Sequence, residues 1–159
     1  MVFTKRTLTF AVQKNKYKIL TLMNANINPN IDVDKLKVLI VDDVPLNILL
    51  VRKMLGQYTF KVETAANGQQ ALDMISKEAP DLMLLDLMMP GIDVFEVIRR
   101  VRAFEKTKDM PIIILSALNS EADIVKGMEL GANDFVNKPI IMERLINSVA
   151  KQINKLGEK

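Results

Sequence analysis

The chain contains no cysteine, no histidine and no tryptophan. Without cysteine there can be no disulfide, no thiolate nucleophile and no cysteine-based zinc site, which agrees with a cytoplasmic setting. The missing histidines exclude more: a histidine general base, a Ser-His-Asp triad, a histidine-ligated metal and a phosphohistidine of the chain's own. No apolar run approaches the roughly 20 residues that cross a bilayer, so no membrane contact is expected. The remaining chemistry belongs to carboxylates, lysines, hydroxyls and hard cations.

What is present suits a globular protein. The 159 residues, 49% hydrophobic and 26% charged, are enough for one domain plus a short extension. The net charge of +3 is unevenly placed: residues 1–31 hold five of the 22 basic residues and no acidic one. The remaining 17 basic residues face 19 acidic ones, so the globular part carries −2. With no basic recognition helix either, direct nucleic-acid binding is not expected. Residues 1–34 lack a sustained period and end in an Asn-rich stretch, the composition of a poorly ordered leader or linker. The lack of acids there fits a transit peptide and the scarcity of arginine does not, while Met23 could equally start translation. The domain is expected over residues 35–159.

From Lys35 the text alternates regularly. Val38–Val41 reads as a buried strand, followed by a helix opening at Pro45 and ending at Gly56. Phe60–Thr64 is a second strand and Gln69–Lys77 a second helix. Asp81–Asp86 reads as a third strand buried on both faces, before the Pro90-Gly91 turn. The spacing of Phe95, Val97, Ile98 and Val101 predicts a third helix. Pro111–Ser116 is a fourth strand, with Ser120 capping a helix over Glu121–Leu130. Asp134–Val136 is a fifth strand and Ile140–Leu156 a final helix. Five strands alternating with five helices predict an α/β fold with a parallel, doubly wound, flavodoxin-like sheet in the order 2-1-3-4-5.

In such a sheet the carboxyl ends of the strands share one edge. Asp42 and Asp43 close the first strand, Asp86 the third and Ser116 the fourth, and Lys138 follows the fifth. Under the expected order these side chains converge at the switch point. Three carboxylates repel one another unless a cation joins them, and Mg²⁺ takes such oxygen ligands together with phosphate oxygens. Lys138 and Ser116 could meet the remaining oxygens of a phosphoryl group, with a carboxylate as nucleophile. Each residue also has a plainer reading. Asp42 or Asp43 could cap the helix at Pro45, Ser116 could be an ordinary strand-end hydroxyl, Lys138 a solvated lysine and Phe135 a core or half-buried aromatic.

These stretches carry a family resemblance. Val41-Asp42-Asp43, Leu85-Asp86-Leu-Met-Met-Pro90-Gly91, Leu115-Ser116-Ala117, Gly131-Ala-Asn133-Asp134-Phe135 and Lys138-Pro139 make the chain from Lys37 to about Leu156 resemble the receiver domain of two-component response regulators. The resemblance implies that Asp86 accepts a phosphoryl group from the phosphohistidine of a histidine kinase or histidine phosphotransfer protein. It implies Mg²⁺ bound by Asp43, Asp86 and the backbone carbonyl of Met88, with Asp42 acting through water. Lys138 would contact the phosphoryl group, Ser116 would move toward it, and Phe135 would be an aromatic switch following Ser116. The Lys138-Pro139 bond would be cis. The fourth helix, fifth strand and fifth helix, including Glu121–Leu130 and Ile141–Leu145, would address a downstream target. One departure is Val94, where the family usually has glycine; a β-branched residue resists positive φ and adds bulk beside the phosphorylation loop.

The resulting expectation is a switch, and not a multiple-turnover enzyme, serving as a stand-alone regulator, a phosphorelay intermediate or a receiver from a larger protein. Two alternatives stay open: a Mg²⁺-dependent phosphatase with an aspartate nucleophile, and an interaction module that is not phosphorylated. Met88 and Leu118, both apolar, are expected to restrict water beside the site.

Overall fold

The computed structural model describes residues 26–56, 58–89, 93–117 and 120–158. After a short 3₁₀ turn at Val33–Lys35, strands and helices alternate. They are β1 (Lys37–Val41), α1 (Pro45–Leu55), β2 (Lys61–Ala65), α2 (Gly68–Lys77), β3 (Leu82–Asp86), α3 (Val94–Ala103), β4 (Ile112–Ser116), α4 (Glu121–Glu129), β5 (Asp134–Asn137) and α5 (Met142–Leu156). The five strands form one parallel sheet in the order β2-β1-β3-β4-β5. The fold class and order read from the sequence are those observed.

The two-residue period of the apolar strands builds a core on each face. Val38, Ile40, Leu82, Leu84, Ile113 and Leu115 meet Val51 and Leu55 of α1 and Leu145, Val149 and Ile153 of α5. Leu39, Val41, Met83, Leu85, Ile112 and Ile114 turn to the other side, toward Ala71 and Ile75 of α2 and Val97, Ile98 and Val101 of α3. Each fully buried Val, Leu or Ile contributes about 1.5–3 kcal/mol. Helix α4 reaches the sheet through Gly127, where an added Cβ would lie 2.4 Å from Ile114 Cδ1.

The helix starts are specified locally. Asn67 Oδ1 accepts from Gln70 N at 2.8 Å ahead of α2, and Asp93 Oδ1 accepts from Phe95 N at 2.9 Å ahead of α3. Ser120 precedes α4 but does not cap it with its side chain. At φ −112°, ψ 34° it departs from the extended cap geometry, and its hydroxyl donates back to the Ala117 carbonyl at 2.7 Å. Val94 also behaves differently from expectation. It is the first residue of α3, 4% exposed and packed in the second core layer. Among the described residues no non-glycine has positive φ, so the β-branched side chain meets no such demand.

Packing begins ahead of β1. Ile27 is 8% exposed and joins the core layer of α1 and α5. Asn154 fastens the same segment, accepting from Asn28 N at 2.8 Å and donating to Asn26 O at 2.6 Å. The boundary expected at residue 35 thus falls behind nine residues that lie on the domain, while residues 1–25 are outside the described set.

Candidate functional site

Because every strand points the same way, the carboxyl ends of β1, β3, β4 and β5 deliver the polar residues to one edge. Asp42, one residue past β1, is 1% exposed. Its Oδ1 accepts from Val44 N at 2.9 Å and Asn47 Nδ2 at 3.3 Å, so it braces the turn into α1. Its Oδ2 has no hydrogen bond and lies 3.5 Å from Lys138 Nζ. The structural and functional readings of Asp42 therefore apply to different oxygens of one carboxylate.

Asp86, the last residue of β3, is 2% exposed. Its Oδ1 accepts from Met88 N at 3.2 Å and sits 3.0 Å from Lys138 Nζ. Burial pushes the carboxyl above its ordinary value, the Lys138 and Met88 hydrogen bonds pull back, and the charge of Asp42 adds to the rise. Asp42, Asp43 and Asp86 each present an oxygen within 4.8 Å of the others. A single ammonium among three carboxylates leaves the cluster negative. Two buried oxygens, Asp42 Oδ2 and Asp43 Oδ1, accept no hydrogen bond. That donor set, all hard oxygens short of positive charge, fits a divalent cation such as Mg²⁺.

Lys138 follows β5, its side chain 25% exposed, and its peptide bond to Pro139 is cis. Its backbone N–H donates to the Ser116 carbonyl at 2.6 Å, which ties the lysine to the end of β4. Ser116 is fully buried, and its hydroxyl turns away from the carboxylates to donate to Asn137 Oδ1 at 3.1 Å. The structure thus joins Asp42, Asp43, Asp86 and Lys138 directly and holds the Ser116 hydroxyl aside. Phe135 stands 42% exposed on β5, beside a groove that it shares with Ile124, Val125 and Met128 of α4. Met88 contributes its N–H to Asp86 while 62% of the residue is exposed; Leu118 is outside the described residues.

Two participants escape a reading of the sequence. Asn47 is an unremarkable polar residue in the first turn of α1, and nothing in its spacing marks the Asp42 contact. Asn137 could have been found, since parallel pairing sets it opposite Ser116.

A family described as the response regulator receiver domain matches residues 38–150. Response regulator PleD of Caulobacter vibrioides is 39% identical over 104 residues, 65% of this chain and 23% of that protein. Transcriptional regulatory protein AfsQ1 of Streptomyces coelicolor is 40% identical over 121 residues, 76% of this chain and 52% of that protein. The chain therefore spans from about a quarter to about half of these relatives. The crystal structure of the Vibrio cholerae chemotaxis protein CheY4 superposes with a TM-score of 0.68 at 32% identity, over 73% of this chain and 97% of that one.

Proposed function

Since the chain belongs to the response regulator receiver family, we propose that it takes a phosphoryl group on Asp86 from a partner's phosphohistidine and so acts as a switch in two-component signalling. The observation that carries this reading is the buried Asp86 carboxylate, 3.0 Å from Lys138 Nζ and clustered with Asp42 and Asp43. Asp86 Oδ1 is engaged by Lys138 and the Met88 N–H. Oδ2, which accepts neither, is the oxygen that attacks phosphorus. The bond to Asp86 forms as the phosphorus–nitrogen bond breaks, and the leaving imidazole keeps the electron pair and takes a proton from solvent. Asp43, Asp86 and the Met88 carbonyl would hold Mg²⁺, with Asp42 acting through water. When bound, the ion would neutralise charge on the phosphoryl oxygens. Lys138, tethered to β4 by its backbone, stabilises the same oxygens from its fixed position.

Release of the Ser116 hydroxyl from Asn137 toward the phosphoryl group then alters the surroundings of Phe135. That change reaches a downstream target through α4, β5 and α5, where Val125, Phe135 and Ile141 are half exposed. The donor is a histidine kinase or histidine phosphotransfer protein, and the module is an acceptor and not a multiple-turnover enzyme. No helix among the described residues is long and apolar enough to cross a membrane, and we place this exchange in the cytoplasm.

The test is intact mass after incubation with acetyl phosphate, with and without Mg²⁺. One phosphoryl adduct is expected on the wild-type chain with Mg²⁺, and none on Asp86→Asn. Labelling that survives Asp86→Asn would place the chemistry elsewhere.

A further inference from the structure

At the opposite edge of the sheet, before β4 and β5, lies a cavity of about 340 Å³ whose lining includes Arg102, Lys108, Asp109, Asn133, Gln152 and Lys155. A strand of five residues at ~3.3 Å each sets this edge roughly 15 Å from the carboxylates.

One wall is rigidly built. Arg102 donates from Nε and Nη2 to the Gly131 carbonyl at 3.0 and 2.7 Å, and from Nη2 to Asn133 Oδ1 at 2.9 Å. Its Nη1 donates to the carbonyls of Thr107 and Met110 at 3.2 and 2.7 Å. All five guanidinium donors are thereby used, leaving its charge but no hydrogen bond for a ligand. Gly131 admits this clasp because it adopts φ +116° and carries no Cβ, which would lie 2.9 Å from Arg102 Nε.

Gln152 of α5 supplies what the wall does not. It is fully buried, yet neither its amide oxygen nor its amide nitrogen has a hydrogen-bond partner. Native structures seldom bury both halves of an amide unpaired, since each has lost water without replacing it. Charge points the same way. Lys155 forms no ion pair among the described residues, Lys108 pairs only with the exposed Glu105, and Asp109 offsets one charge of the three basic groups. The lining favours an anion. Lys155 and Leu156 belong to the last turn of α5, where opening a helix end costs least.

We propose that this cavity is a second ligand site, for a small anion of the purine nucleoside monophosphate class. The Gln152 amide pairs its oxygen and nitrogen with the adjacent donor and acceptor of the base, as glutamine does with adenine. Lys155 and Lys108 take the phosphate. The volume is at the lower end of the ~300–1,000 Å³ usual for small-molecule sites, which suits one nucleotide.

The experiment titrates the full isotope-labelled chain with adenosine 5′-monophosphate, adenosine and inorganic phosphate in separate NMR series without Mg²⁺. The nucleotide should give saturable shifts around Gln152, Gly131 and Arg102, and should bind more tightly than either fragment. Gln152→Leu should weaken binding by about tenfold or more, the loss of one bidentate base contact, while keeping acetyl phosphate labelling of Asp86 as evidence of folding. Should Gln152→Leu fail to fold, Lys155→Ala must show the loss instead. Binding should persist in Asp86→Asn, which separates this site from the phosphoacceptor. No saturable shifts, affinity unchanged in Gln152→Leu, or phosphate binding as tightly as the nucleotide would each overturn the proposal.

Discussion

Asp86 holds a carboxylate where apolar packing would prefer none, and the pH dependence of stability should reveal it. Its folded pKa is raised by burial, so the folded state favours the protonated form. The cost is absent below the ordinary carboxylate range near ~4 and grows as pH rises through the folded value toward neutrality. Asp86→Asn should therefore raise the melting temperature of the metal-free protein at neutral pH, with a gain that vanishes near pH ~4. Calorimetry of both proteins across that range reads the difference directly. Tyr58 sets a second test. Its ring packs 5.8 Å from that of Phe60, its hydroxyl is buried without a partner, and burial pushes the phenol up to about 12. The fold should lose stability as pH climbs from the ordinary phenol value of ~10 toward that figure. Tyr58→Phe should abolish this alkaline loss and add on the order of 1 kcal/mol at neutral pH in urea unfolding. At this scale the sequence revealed the four charged residues of the cluster because each stands at or just past the carboxyl end of a strand. It could not reveal which oxygen of Asp42 braces the turn, because that depends on a side-chain rotamer, whereas the strand register already set Asn137 opposite Ser116.

Among elements, the regular ones were legible and the strap ahead of β1 was not. The core strands announced themselves as short unbroken apolar runs and the helices through a period of 3.6, bounded by Pro, Gly and Asn. Residues 26–34 have no period to read, and what binds them is tertiary: the apolar contact of Ile27 with α1 and α5, and the bonds to Asn154. Ile27→Ala should destabilise the protein by about 2 kcal/mol in urea melts, as for a core aliphatic residue. Asn154→Ala should cost about 1 kcal/mol through its lost hydrogen bonds. The double variant should lose less than the sum, because both residues hold one segment. Full additivity would mean that the two anchors act independently.

At the level of the molecule, the deficit of positive charge among Asp42, Asp43 and Asp86 should couple stability to divalent ions. Mg²⁺ should stabilise the fold by mass action, approaching about 2.7 kcal/mol at a hundredfold excess over its dissociation constant. For a chain of this size each kcal/mol moves the midpoint by about 2–4 °C. Asp43→Asn should remove most of that shift in calorimetry, and a full shift retained would argue against the cluster as the ion's site. The topology was predictable as a whole because parallel neighbours require crossovers and the crossovers have one hand. The strand order has a further consequence for how the chain comes together. Strands β1, β2 and β3 are neighbours in space and first in sequence, so they could associate before β4 and β5 exist. That half-sheet would gather three carboxylates, while the one ammonium that offsets part of their charge follows the last strand. During synthesis at ~5–20 residues per second the imbalance would persist for about 3–10 s. Electrostatics thereby penalises the partial sheet and rewards the complete one, which makes the acidic cluster a source of folding cooperativity as well as the proposed phosphoacceptor site.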